Sequence, residues 1–163
     1  MARALIVGCG CRGRELGGEL AGRGWQVRGT TRTEEGEPAI EDKNIEAAIA
    51  DPDRPGTILE LCGDVAVVVW LLGSAVGQPD AVEAIHGPRL ERLLEKLVDS
   101  PVRGFVYEAV GGVPADQLDS GRGAVERAAE TWRIPVACLE VERDGEGWAR
   151  WAAEAVTAVL QER

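Results

Sequence analysis

The chain is poor in the side chains that most often carry acid/base chemistry, with a single histidine, His86, and a single tyrosine, Tyr107, among 163 residues. It is also short of positive charge, with 18 Lys+Arg against 28 Asp+Glu and a formal net charge of −10. A general nucleic-acid binder needs a basic face to neutralise phosphates, so that class is excluded, and the acidic surface reads as serving solubility. No apolar run approaches the roughly 20 residues of a membrane-spanning helix. The four cysteines, Cys9, Cys11, Cys62 and Cys138, form neither a paired metal spacing nor a disulfide framework, and no metal is expected. Internal repeats and low-complexity segments are absent as well. The length suits one ordinary domain, 1–163, with no room for a substrate domain of similar size. Met1 leads directly into an apolar strand, so the expectation is a cytoplasmic protein without a signal peptide.

What the chain does have lies at its start. An apolar run, Ala4 to Val7, is followed by the turn Gly8-Cys9-Gly10-Cys11-Arg12-Gly13, a helical segment from Arg12 to Gly22, and a second strand from Gln26 to Thr30. In a nucleotide-binding βαβ unit the three glycines do different things. Gly8 makes the tight turn, Gly10 lets a pyrophosphate approach the backbone, and Gly13 lets helix and strand pack closely. The anion would rest on free N–H groups of the first helical turn, at Cys11, Arg12 and Gly13, where the helix dipole also favours negative charge. Thiols at such a place can become reactive, but Cys9 and Cys11 read better as small side chains in a crowded turn.

Downstream, strands and helices alternate. Thr33 to Asn44 is polar and reads as a loop or a weak turn of helix. Ile45 to Ala50 is a third strand, and Pro55 to Cys62 a short helix. Val65 to Leu72, VAVVVWLL, has the unbroken apolar character of a central parallel strand buried on both faces. A mostly helical stretch follows to Ser100, with His86 just before Gly87-Pro88, where a helix would break or begin, and read as solvated or capping. Gly104 to Tyr107 is a fifth strand and Pro135 to Leu139 a sixth. Between them lies a helix bearing Val125, Ala128, Ala129 and Trp132. Asp144 to Gly147 is a loop, and Trp148 to Leu160 a closing helix whose tryptophans serve the core or, alternatively, a homodimer face. The pattern predicts an α/β fold: a three-layer, doubly wound parallel sheet of about six strands in the order 3-2-1-4-5-6.

The end of the second strand bears on which dinucleotide binds. An acid there would serve the ribose hydroxyls of NAD, whereas Thr31 and Arg32 offer a hydroxyl and a guanidinium suited to the 2′-phosphate of NADP. NADP is therefore favoured, with NAD kept open by Glu34 and Glu35 close behind.

With its GCGxxG turn and GTTR strand end, the chain resembles the short-chain dehydrogenase/reductase superfamily, more narrowly its atypical members. The resemblance implies that Asp51 contacts the adenine and that Leu71, Leu72 and Gly73 line the cofactor's ribose. The superfamily's catalytic residues do not carry over. Glu108-Ala109-Val110-Gly111 stands where a serine or threonine follows the fifth strand, and Tyr107 has Gly111, not lysine, four residues on. The superfamily's C-terminal substrate-binding region is expected to be missing too. Two functions remain: a small oxidoreductase acting with NADP(H) on an unknown small molecule, with Glu108, His86 and Tyr107 as candidate acids, or a non-catalytic NADP(H)-binding redox sensor or partner subunit acting on a protein. Binding of a different nucleotide or an adenosyl cofactor is a third reading.

Overall fold

The computed structural model describes residues 2–142 and 145–161. Six strands, β1 (Arg3–Val7), β2 (Gln26–Thr31), β3 (Glu46–Ile49), β4 (Val67–Trp70), β5 (Gly104–Glu108) and β6 (Val136–Leu139), form one sheet in the order β3-β2-β1-β4-β5-β6. Every neighbouring pair is parallel, with Ala4 facing Val67 and Val67 facing Gly104 in the central register. The expected topology is thus the one found.

Side chains alternate between the two faces of each strand, and both faces are covered. Ala4 and Ile6 of β1, Val67 and Val69 of β4 and Val106 of β5 point to one core, where α1 (Cys11–Gly22) brings Leu16 and Leu20 and α7 (Trp148–Val159) brings Trp148, Ala152 and Val156. Leu5, Val7, Val68, Trp70, Phe105 and Tyr107 point to the other, under α3 (Pro55–Leu59), α5 (Pro88–Leu97) and α6 (Ala115–Trp132). That is why β4 carries no polar residue: Val67, Val68, Val69 and Trp70 are each fully buried. Each buried valine contributes about 1.5–3 kcal/mol of transfer free energy. Trp148 is 3% exposed, a core residue as expected, while Trp151 is half-buried beside it.

Two stretches are defined more finely by the structure. The polar Thr33–Asn44 segment contains a 3-10 turn, Glu34–Gly36, and a short helix, α2 (Glu37–Glu41), because Pro38 sits in its first turn and Ile40 is a fully buried anchor. The mostly helical stretch up to Ser100 is two helices, α4 (Pro79–Ile85) and α5, with the break at Gly87-Pro88 as expected. They part at His86-Gly87 because Pro88 opens the second one with no N–H to give. Of the expected Asp144–Gly147 loop, Asp144 lies outside the described residues, and Gly147 caps α7 in the left-handed region with φ 82°.

The chain leaves β1 toward β2 on one side and enters β4 on the other. The carboxyl ends of β1 and β4 therefore flank the switch point where open α/β sheets present their crevice.

Candidate functional site

At the end of β1, Gly8 has φ +89°, and a side chain there would also meet the Leu71 carbonyl and stand 2.9 Å from Leu72 Cδ2. No other residue type suits that backbone and that space. Gly13 allows α1 to approach the strand: a Cβ would lie 3.0 Å from Gly8 O and 3.3 Å from Ile6 Cγ2. Gly10 differs from both, since nothing lies within 4 Å of its would-be Cβ, so its outer side is open to a ligand. Gly10 also caps α1 without any side-chain hydrogen bond, so no capping side chain occupies the first-turn N–H groups.

Beneath the turn, Cys9 is 6% exposed, and its Sγ fills the space left by the missing side chain of Gly29. Burial pushes its thiol up to about 12, against the opposing pull of the Arg14 charge. A thiol held protonated is a packing group, not a nucleophile. Cys11 is exposed.

A cleft of about 310 Å³ opens here, walled by Gly8 and Gly10, by Thr31 and Arg32 of the β2 end, by Leu72 and by Arg14. Five of the eleven residues expected at a cofactor therefore share it. Thr31 Oγ1 donates to the Thr33 carbonyl at 3.2 Å, a local turn that seats the Glu34–Gly36 segment against the cleft. Asp51 sits between the cleft residues Ala50 and Pro52, its Oδ1 3.8 Å from Arg32 Nε, so the β2 and β3 ends meet at the cleft. Leu71 and Gly73 flank Leu72, the first through its carbonyl against Gly8. Arg12 lies elsewhere, paired with Glu15 at 2.7 Å in a depression beside Trp148. Arg14 was missed by sequence reasoning. Its position four residues after Gly10, one turn into the helix, was the available signal.

The three candidate acids lie inside the protein. Glu108 is 1% exposed and accepts a hydrogen bond from the Gly73 N–H at 2.7 Å, tying the β5 end to the β4 end. Two further bonds lace those loops: Gly112 N–H donates to Ser74 Oγ at 3.0 Å, and Val113 N–H donates to the Gly73 carbonyl at 2.9 Å. His86 corrects the solvated reading. Its backbone N–H does close α4, bonding Glu83 O at 3.1 Å, but the side chain is interior and the residue is 1% exposed. Its Nε2 lies 2.8 Å from the Leu72 carbonyl and its Nδ1 2.7 Å from the Tyr107 hydroxyl. A carbonyl can only accept, so Nε2 carries the proton and Nδ1 accepts from Tyr107. Burial lowers the His86 pKa and keeps the ring neutral, and burial likewise raises the Tyr107 hydroxyl above its ordinary value. The pair props Leu72, whose side chain walls the cleft; sequence reasoning could not see a partner 21 residues away.

No protein-family model matches the chain, and no curated protein matches it in sequence. Solved structures do. The UDP-glucose 4-epimerase of Thermotoga maritima superposes with a TM-score of 0.71 at 13% identity, covering 85% of this chain and 54% of the epimerase. The Thermus thermophilus UDP-glucose 4-epimerase complexed with NAD gives 0.69 at 15%, covering 85% and 54%. The Citrobacter sp. triphenylmethane reductase complexed with NADP(H) gives 0.63 at 16%, covering 84% and 48%. These likenesses establish a shared Rossmann-type fold, and the chain spans about half the length of the proteins it matches. Among the described residues no helix is long and apolar enough to cross a membrane, and no His/Cys/Asp/Glu group could hold a metal ion.

Proposed function

We propose that this chain binds a nicotinamide dinucleotide, NADP(H) in preference to NAD, as an atypical protein of the short-chain dehydrogenase/reductase kind. One juxtaposition carries the reading: an open, uncapped helix start over a glycine turn, with the Arg32 guanidinium in the same cleft. The pyrophosphate takes the N–H groups of Cys11, Arg12 and Gly13, where the helix dipole favours it. Thr31 and Arg32 take the adenosine ribose and its 2′-phosphate, Asp51 stands by the adenine, and Leu71, Leu72 and Gly73 flank the second ribose. Support for the cofactor class comes from neighbours of the same fold complexed with NAD and NADP(H).

The cofactor, when bound, supplies hydride chemistry, and the protein must supply orientation and any proton. Here Glu108, His86 and Tyr107 are buried and hydrogen-bonded to the protein's own groups. That favours the non-catalytic form of the reading, a cytoplasmic NADP(H)-dependent redox sensor or partner subunit, over an oxidoreductase acting on a small molecule. Calorimetric titration tests the binding: NADPH should bind more tightly than NADH, and no heat with either would sink the reading. A screen of carbonyl compounds for NADPH oxidation then separates the two forms. Turnover lost in Glu108→Ala would restore the enzyme.

A further inference from the structure

β6 is the last strand of the sheet, and its outer side pairs with no strand among the described residues. Toward β5, the Phe105 N–H donates to the Pro135 carbonyl at 3.0 Å and the Ala109 N–H to the Leu139 carbonyl at 2.9 Å. Backbone groups alternate sides along a strand, so those of Val136 and Cys138 turn outward. Proteins usually blunt such an edge with a charged side chain or a proline. The opposite edge, β3, carries Glu46, ion-paired with Arg28. The run Val136-Ala137-Cys138-Leu139 has neither device. α6 and α7 cover the two faces of β6, yet Val136, Ala137 and Cys138 are only half-buried, because the edge itself is bare.

The two ends of that edge are unlike. At the amino end Trp132, 38% exposed, shares a depression of about 350 Å³ with Val98, Ile134 and Pro135. Arg103 and Arg133 line the same depression and have no carboxylate partner among the described residues. At the carboxyl end Val141, 49% exposed, lies between Glu140, paired with Arg122, and the exposed Glu142. Bases around an apolar hollow thus stand at one end, and an apolar side chain between two acids at the other. A single chain cannot bring its own two ends together. Antiparallel pairing of β6 with a copy of itself does, because the two-fold axis sets the amino end of each strand against the carboxyl end of the other and forms the contact twice. Parallel pairing would instead set base against base and acid against acid.

We infer that the β6 edge is a self-association surface: a second copy of this chain adds its β6 antiparallel to the first, with Val141 of each copy in the other's Trp132 depression and Glu142 of each beside the other's Arg133.

The test is sedimentation velocity of the full chain over a concentration series, in the wild type, Val141→Lys, Arg133→Glu, Glu142→Arg and the variant carrying both charge reversals. All three positions are exposed, so each variant should keep the circular dichroism of the wild type. The wild type should dimerise, and less tightly as salt rises. Val141→Lys puts a charge into the apolar contact twice per dimer and should weaken it by about tenfold or more, as should each single reversal. The double reversal exchanges the charges of the two ends and should recover most of that loss. A wild type that stays monomeric up to about 1 mM overturns the inference. So does a dimer that Val141→Lys leaves intact, or a double reversal no tighter than the single ones.

Discussion

Replacing Tyr107 by phenylalanine removes one oxygen from the middle of the protein and separates a structural role from a catalytic one. The ring is fully buried in the same core as Phe105 and would keep its place. What changes is His86, 1% exposed, whose Nδ1 loses the hydroxyl 2.7 Å away. Leaving a buried acceptor unsatisfied costs about 1–3 kcal/mol. For a chain of this length, each kcal/mol shifts Tm by about 2–4 °C, so the expected fall is about 2–12 °C. Urea unfolding should show the same loss in midpoint with an unchanged slope, since the surface exposed on unfolding is the same. NADPH affinity should stay within about twofold, because the hydroxyl does not line the cleft. Stability unchanged within about 0.5 kcal/mol would refute the buried pair. So would a variant that folds as well as the wild type but loses a measurable turnover, because a substrate would then be reaching the hydroxyl.

Further outcomes follow from the same geometry. Gly8→Ala, at φ +89° and against the Leu71 carbonyl, should cost about 1–3 kcal/mol in urea unfolding and abolish dinucleotide binding; unimpaired binding would discount the turn. His86 is held neutral below its ordinary pKa, so the unfolded chain takes up its proton first as pH falls. Its contribution to stability should be complete above about pH 6.5 and lost as pH drops through the lowered value. Thermal melts of His86→Gln should show a flatter pH dependence across that window than the wild type; a parallel dependence would contradict this. Iodoacetamide at neutral pH should label the exposed Cys11 and spare Cys9, whose thiol burial raises to about 12, as read by peptide mass spectrometry. Rapid labelling of Cys9 in the folded protein would contradict its packing role.

Much of the fold was legible because burial imposes itself on composition. Val67, Val68, Val69 and Trp70 must each face a core on one side of the sheet or the other, and a strand under that demand admits no polar residue. The glycine turn was legible for a similar reason, since Gly8 and Gly13 occupy places that a Cβ would fill. Features resting on a single anchor or on contacts distant in sequence were not. Ile40 alone holds a polar segment to the core, so α2 leaves no periodicity to read. His86 looked solvated because its two partners, Leu72 just after β4 and Tyr107 in β5, are distant in sequence and meet it only when α4 ends beside them. Arg14 could be placed on the first turn of α1, but which neighbour it faces depends on how the helix lies over β1 and β2.

The function proposed for this chain depends on the cleft at the β1 turn holding a nicotinamide dinucleotide whose 2′-phosphate Arg32 reads. Isothermal titration of wild type and Arg32→Ala with NADPH and NADH tests that most directly. The wild type should prefer NADPH by about ten- to a hundredfold, and Arg32→Ala should remove most of that preference while NADH affinity is held. Absence of binding by either dinucleotide, or a preference for NADPH that survives Arg32→Ala undiminished, would contradict it.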